Sequence, residues 1–151
     1  MTTLQDALEI ARRDQFLAVV STLRSDGTIQ SSIVNAGVLA HPFEGGDEDA
    51  GGDVVGFVTY GRTKLANLRE RPQVTVTFRS GWEWAAVEGR AELIGPDDPR
   101  PGVDSEQLRL LLRQVFTAAG GTHDDWDSYD RTMAEQRRTV VLVDPLRVYS
   151  N

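Results

Sequence analysis

Phe16-Leu17-Ala18-Val19-Val20-Ser21-Thr22-Leu23, then Arg24-Ser25-Asp26-Gly27, then Thr28 to Leu39, sets the architecture of the chain. A run rich in β-branched residues, an Asp-Gly pair and a second extended run mark two strands joined by a tight hairpin turn. A hairpin joins antiparallel neighbours directly, without a crossover helix. The second strand is unusual in carrying Gln30, Ser31, Ser32 and Asn35 among its apolar residues.

Working outward, Thr3 to Arg13 reads as a short helix with Leu4, Leu8 and Ala11 on one face and Thr3 with Asp6 as a capping box. Val54 to Tyr60 is a third strand, and Gly61 to Arg71 a short helix stopped by Pro72. Gln73 to Arg79 alternates Val74, Val76 and Phe78 on one face, and Trp82 to Ile94 forms a long fifth strand. Gly95 to Gly102 holds three prolines and reads as a loop. Asp104 to Ala119 is an amphipathic helix whose stripe is Leu108, Leu111, Leu112, Val115 and Phe116, and Gly120-Gly121 ends it. Asp124 to Arg138 is another helix, with Trp126, Tyr129 and Met133 on one face. Asp124, Asp125 and Asp127 fall in its first turn, where the helix dipole favours acids. Thr139 to Tyr149 is the last strand, with Pro145 as a candidate break. Strands joined mostly by hairpins argue for a mainly β, α+β architecture, an antiparallel sheet or barrel with added helices. The 151 residues are read as one domain.

Composition narrows the chemistry. The sequence has no cysteine, so disulfides, thiol nucleophiles and Cys-ligated metals are excluded. Its formal net charge of -7 argues against nucleic acid as a main partner. With no long apolar run and no signal-like N-terminus, no membrane association is expected and the cytoplasm is the expected location. Glu44 to Gly52, glycines among acids, reads as a mobile surface loop without the ligand ladder of a calcium loop. Of the two histidines, His123 stands before a helix beside Asp124 and Asp125 and reads first as a cap or packing residue. With so few acid–base groups of the usual kind, an enzyme of this composition needs a cofactor to supply the reactivity.

The most informative segment for function is Thr59-Tyr60-Gly61-Arg62-Thr63-Lys64-Leu65-Ala66-Asn67-Leu68-Arg69-Glu70-Arg71-Pro72. Arg62, Thr63 and Lys64 stand at a helix N-terminus, where backbone amides favour anions and cations are disfavoured. Two readings are balanced: a bound phosphate, or a solvated basic helix packing through Leu65 and Leu68. Gln30, Ser32 and Asn35 suit the polar edge of a heterocycle, or else a wet outer face. Phe78, Trp82 and Trp84 flank one turn and read as core, interface or a stacking platform for a planar ring.

Phe16–Leu23 with Asp26-Gly27 and Gln30-Ser31-Ser32, Arg62–Arg69 with Pro72, Gly81–Leu93, His123–Tyr129 and the closing Arg147-Val148-Tyr149 together resemble the pyridoxamine-phosphate-oxidase-like split-barrel superfamily. Within it the chain is most similar to the actinobacterial branch of coenzyme F420-dependent oxidoreductases. The resemblance implies a six-stranded antiparallel split β-barrel with peripheral helices, homodimeric, with cofactor sites at the subunit interface. It implies that Arg62, Thr63 and Lys64 hold the cofactor phosphate with support from Asn67. Gln30, Ser32, Asn35 and Thr59 would line the ring, and Trp82 would reach the partner's cofactor. The implied chemistry is hydride transfer from reduced F420 to a small electron-poor organic substrate. FMN is the alternative cofactor, and a non-catalytic carrier of flavin, deazaflavin or tetrapyrrole is the alternative role.

The sequence departs from that pattern at Ile29, where many relatives have proline, and in the acidic insertion from Glu44 to Asp53. The arginine and histidine that true pyridoxamine phosphate oxidases use on substrate are not evident, which argues against a vitamin B6 substrate. Arg69, Arg71 and Arg79 are the candidates for a basic groove that would take the polyglutamate tail of F420.

Overall fold

Asp26 and Gly27 close the first hairpin. Gly27 has φ +86°, a left-handed backbone that side chains resist. The Asp26 carboxylate accepts from the Thr28 N–H at 3.0 Å and from its hydroxyl at 2.6 Å. β1 (Leu17–Leu23) and β2 (Ile29–Ala40) therefore pair antiparallel, Leu23 opposite Ile29 and Leu17 opposite Asn35. The computed structural model describes residues 1–43 and 52–151. The acidic stretch from Glu44 thus lies outside the described residues, except for Gly52 and Asp53 at its end.

β3 (Asp53–Thr59), β4 (Gln73–Ser80), β5 (Glu83–Ile94) and β6 (Thr139–Ser150) complete a closed barrel in the order β1-β2-β3-β6-β5-β4. Every pairing is antiparallel, and β4 returns to β1. Closure removes the free sheet edges that would otherwise recruit other chains. The inward residues follow from period-2 alternation: Ala18 and Val20 meet Val76, Phe78, Ala85, Val87, Phe57 and Val141 in one core. Helix α1 (Leu4–Arg13) adds Ala7, Ile10 and Ala11 to that core. Thr3 and Asp6 cap it reciprocally, as their spacing predicts.

A second layer covers β3 and β6 from outside. Val54, Val140 and Leu142 carry Leu111, Leu112 and Val115 of α3 (Ser105–Ala118) and Tyr129 and Met133 of α4 (Trp126–Glu135). α3 comes very close to the barrel at Gly37 of β2, where a Cβ would lie 2.1 Å from the Ala118 carbonyl oxygen. The other side of the barrel is apolar and open to solvent. Ile33 faces Val19 and Val19 faces Thr77; Thr77 faces Ala86 and Ala86 faces Tyr149, in one row across four strand pairings. Ile33 in that row is 68% exposed and Val19 is 41% exposed.

Two boundaries differ from the sequence reading. α4 is shorter than Asp124 to Arg138 at both ends. Asp125 is its N-cap, accepting from the Ser128 N–H, so only Asp127 lies in the first turn. Its C-terminus is closed by Gln136, and Arg137 turns the chain with φ +49°. β6 is continuous through Pro145. A register shift between Glu88 and Gly89 pairs Gly89 with Pro145 and Glu88 with Arg147. Leu146 is the extra residue, so proline, which has no N–H to donate, sits at a bulge rather than at a break.

Candidate functional site

The site is built where β3 hands over to α2 (Arg62–Glu70). Gly61 is the N-cap, no side chain caps the first-turn amides, and the first turn holds no acid. Such a helix start offers unshielded N–H groups and the positive end of the dipole. The three residues there part company. Arg62 and Thr63 are exposed, whereas Lys64 turns inward and is 5% exposed. Lys64 is the only lysine in the sequence. Its Nζ donates to Thr59 Oγ1 at 3.1 Å and stands 5.8 Å from the centre of the Phe57 ring. Among the described residues no carboxylate pairs with it. Burial, reinforced by the nearby Arg138, holds its pKa below the ordinary lysine range.

Lys64 borders a cavity of about 580 Å³. Thr59, Tyr60 and Gly61 form one corner, Ile33 and Asn35 a wall from β2, and Phe116 and Tyr129 a wall from the helices. Arg138, just before β6, lies with its guanidinium 3.8 Å from the centre of the Tyr60 ring. Its Nε donates to Gln136 Oε1 at 2.8 Å, and burial lowers its pKa. Tyr129 donates its hydroxyl to the Leu112 carbonyl at 3.0 Å, and burial pushes its pKa up to about 12. Among the described residues the cavity lining holds no Asp, Glu or His. In a chain of net charge -7 that is a local reversal of sign.

The structure brings Asn35, Thr59 and Lys64 together on this cavity. Asn35 Nδ2 also donates to the Gln15 carbonyl at 2.9 Å. That bond steadies Gln15 and Phe16, both left-handed with φ +58° and +59°, and sets Gln15 on the cavity wall. Gln30 and Asn67 are drawn elsewhere. Thr22 Oγ1 donates to Gln30 Oε1 at 3.1 Å and accepts from Asn67 Nδ2 at 3.0 Å. The three side chains tie α2 to β1 and β2 from within the barrel. Ser32 is on the same side of β2 as Gln30, and its buried Oγ has no hydrogen-bond partner among the described residues.

Phe78 is a correction to the stacking expectation: it is 0% exposed in the barrel core, opposite Ala18 and Ala85. Trp82 is 93% exposed at the β4–β5 turn, away from the cavity of its own chain. Of the arginines expected to form a basic groove, two are paired with acids of this chain. Arg69 is paired with Asp98, Arg71 donates to the Leu23 carbonyl and pairs with Glu70, and Arg79 donates to the Gly81 carbonyl. His123 packs just ahead of α4: its Nδ1 accepts from the Asp125 N–H at 2.9 Å, and its ring packs on Trp126 and Tyr129.

Tyr60, Phe116, Tyr129 and Arg138 belong to the cavity and were not singled out from sequence as site residues. Phe116 and Tyr129 sit in apolar helical stripes that also serve the core. Arg138 carries no local signal, because only barrel closure brings the α4–β6 joint over the β3–α2 joint.

A closed six-stranded antiparallel barrel with added helices is a split barrel, and here its cationic cavity, acid-free among the described residues, lies at one helix start. The pyridoxamine 5'-phosphate oxidase family profile matches residues 4–151, and the chain belongs to that family. Three solved structures share the fold at low identity. One is a conserved hypothetical protein of Mycobacterium tuberculosis, 19% identical, with TM-score 0.60 over 94% of this chain and 81% of the other. An F420 reductase is 17% identical, with TM-score 0.58 over 99% of this chain and 98% of the other. A pyridoxamine 5'-phosphate oxidase-related, FMN-binding protein of Nostoc punctiforme is 16% identical, with TM-score 0.56 over 99% and 86%.

Proposed function

We propose that this chain is an F420-dependent oxidoreductase acting on a small electron-poor organic substrate. The observation that carries the reading is a buried lysine that, among the described residues, has no carboxylate partner and borders a cavity lined by no acid. A desolvated ammonium is costly unless an anion accompanies it. The donor set fits a phosphorylated ring: Lys64 and the open amides of α2 for the phosphate, with Arg62 and Thr63 at the rim. Ile33, Val34, Val58 and Phe116 offer apolar surface to ring faces, and Thr59 and Asn35 offer polar atoms to ring edges.

F420, when bound, supplies a hydride from C5 of its reduced ring. The chain's own residues bind, orient and exclude water. Tyr129 keeps its proton on the Leu112 carbonyl and takes no part as a base near neutral pH. Gln30, Ser32 and Asn67 act in this reading through the packing of β2 and α2 rather than by contact. The exposed row through Ile33 and Val19 receives a second copy of the chain, and Trp82 reaches the partner's site. Among the described residues no helix is long and apolar enough to cross a membrane.

FMN is the second reading, favoured by the pairing of Arg69 with Asp98 and of Arg71 with Glu70, which offsets two of the three charges expected to take an anionic tail. Side-by-side titration of the purified protein with F420 and FMN separates the two. Oxidation of reduced F420 with a panel of enones and quinones is the activity expected. Tight F420 binding without turnover would instead make the protein a carrier.

A further inference from the structure

We propose that Arg138 completes the phosphate subsite, so that it and Lys64 together hold a doubly charged anionic end of the ligand. The assignment rests on the cofactor reading above and adds to it the charge the ligand must bring. Arg138 comes from the segment between α4 and β6, far along the chain from Lys64, yet the two share one corner. Its guanidinium stacks on Tyr60 at 3.8 Å. Tyr60 directly precedes Gly61, the N-cap of α2, and follows Thr59, which accepts from Lys64.

The pairing habits of the neighbouring arginines make the contrast. Arg137 is bound to Asp97, Arg113 and Arg109 to Asp130, and Arg69 to Asp98. Arg138 has the neutral Gln136 amide instead. A guanidinium whose face is covered by an aromatic ring presents its N–H groups edgewise, in the planar fork that phosphate and carboxylate oxygens match. Two cations facing one acid-free cavity repel each other until a matching charge arrives. A terminal phosphate monoester brings about two charges above its second pKa of about 6. A phosphodiester brings one, so F420 meets the same requirement only with a carboxylate of its tail beside the phosphate.

The test compares the full-length wild type with Arg138→Met, Arg138→Lys and Arg137→Met by calorimetric titration. The ligands are F420, FMN and riboflavin, which lacks the phosphate. Arg138→Met is expected to weaken F420 and FMN by about tenfold or more. Riboflavin affinity is expected to stay within about twofold, because the ring contacts are untouched. Arg138→Lys keeps part of the affinity, and Arg137→Met binds like the wild type. Equal losses for FMN and riboflavin, or no loss for the phosphorylated ligands, would overturn the assignment.

A second readout needs no redox cofactor and survives poor folding of the methionine variant. Inorganic phosphate is expected to raise the melting temperature of the wild type more at pH 8 than at pH 5.5, and Arg138→Lys is expected to keep part of that gain. Failure of F420 and FMN to bind, with phosphate stabilisation intact in the wild type and reduced at Arg138, sinks the oxidoreductase reading and leaves the subsite. Unchanged phosphate stabilisation in both Arg138 variants removes Arg138 from it.

Discussion

Lys64 is the residue whose chemistry is most exposed to measurement, because it is the only lysine. Burial first, and Arg138 second, depress its pKa in the folded, ligand-free protein. The unfolded chain therefore holds that proton to higher pH than the folded one. Between the two pKa values the unfolded state binds more protons, so stability rises with pH in that window, below the ordinary lysine value of about 10.4. Wild-type melting curves are expected to show this alkaline gain relative to Lys64→Met, which lacks the group. An anionic ligand reverses the sign, since it favours the ammonium form. Lys64→Met is expected to weaken a phosphorylated cofactor by about 1–3 kcal/mol, the cost of a lost charge-assisted contact. Amine-directed acylation followed by mass spectrometry gives an independent reading, because Lys64 and the N-terminus are the only amines. Cofactor is expected to protect Lys64 and leave the N-terminus reactive; equal labelling with and without it would place the lysine outside the site.

The elements were legible wherever the cause is local. Asp26-Gly27, the Thr3–Asp6 cap and the apolar stripe of α3 each act over a few residues, and each stands where the sequence reading put it. For Phe78 the sequence left core, interface and stacking platform open, and only closure of the barrel, which puts its face inside, decides for the core. Asn67 and Gln30 were read toward a ligand because nothing local reveals that Thr22, on a third element, satisfies both. Gly37 shows the same limit from the backbone side. The sequence reading did not single it out, because its reason is α3 arriving from beyond the barrel. Gly37→Val must lift the end of α3, since the obstructing atoms are backbone. The expected cost is about 1–3 kcal/mol, the usual range for overpacking. Because Phe116 and Ala119 line the cavity from that helix end, cofactor affinity is expected to fall with the melting temperature. Gly27→Asn, at a left-handed position in open space, is the control and is expected to change both little.

At the scale of the whole molecule, the barrel is covered unevenly. β3 and the first half of β6, Thr139 to Val143, are buried on both faces, between the core and α3 with α4. On the other side Leu17, Val19, Ile29 and Ile33 stay exposed at 38%, 41%, 66% and 68% on the outer face of the β1–β2 hairpin. Ile33 belongs both to that face and to the cavity wall. A second copy seated on the face would therefore also close the cavity, which joins assembly to cofactor binding through one residue. Light scattering is expected to give about twice the 16.7 kDa chain mass for the wild type. Val19→Glu puts a charge in the middle of the exposed row without touching the cavity lining, and is expected to give a monomer. That monomer should bind cofactor more weakly although every lining side chain is unchanged. A monomeric wild type that binds cofactor as tightly at nanomolar as at micromolar protein would show the site to be complete in one chain, and the shared cavity would have to be given up.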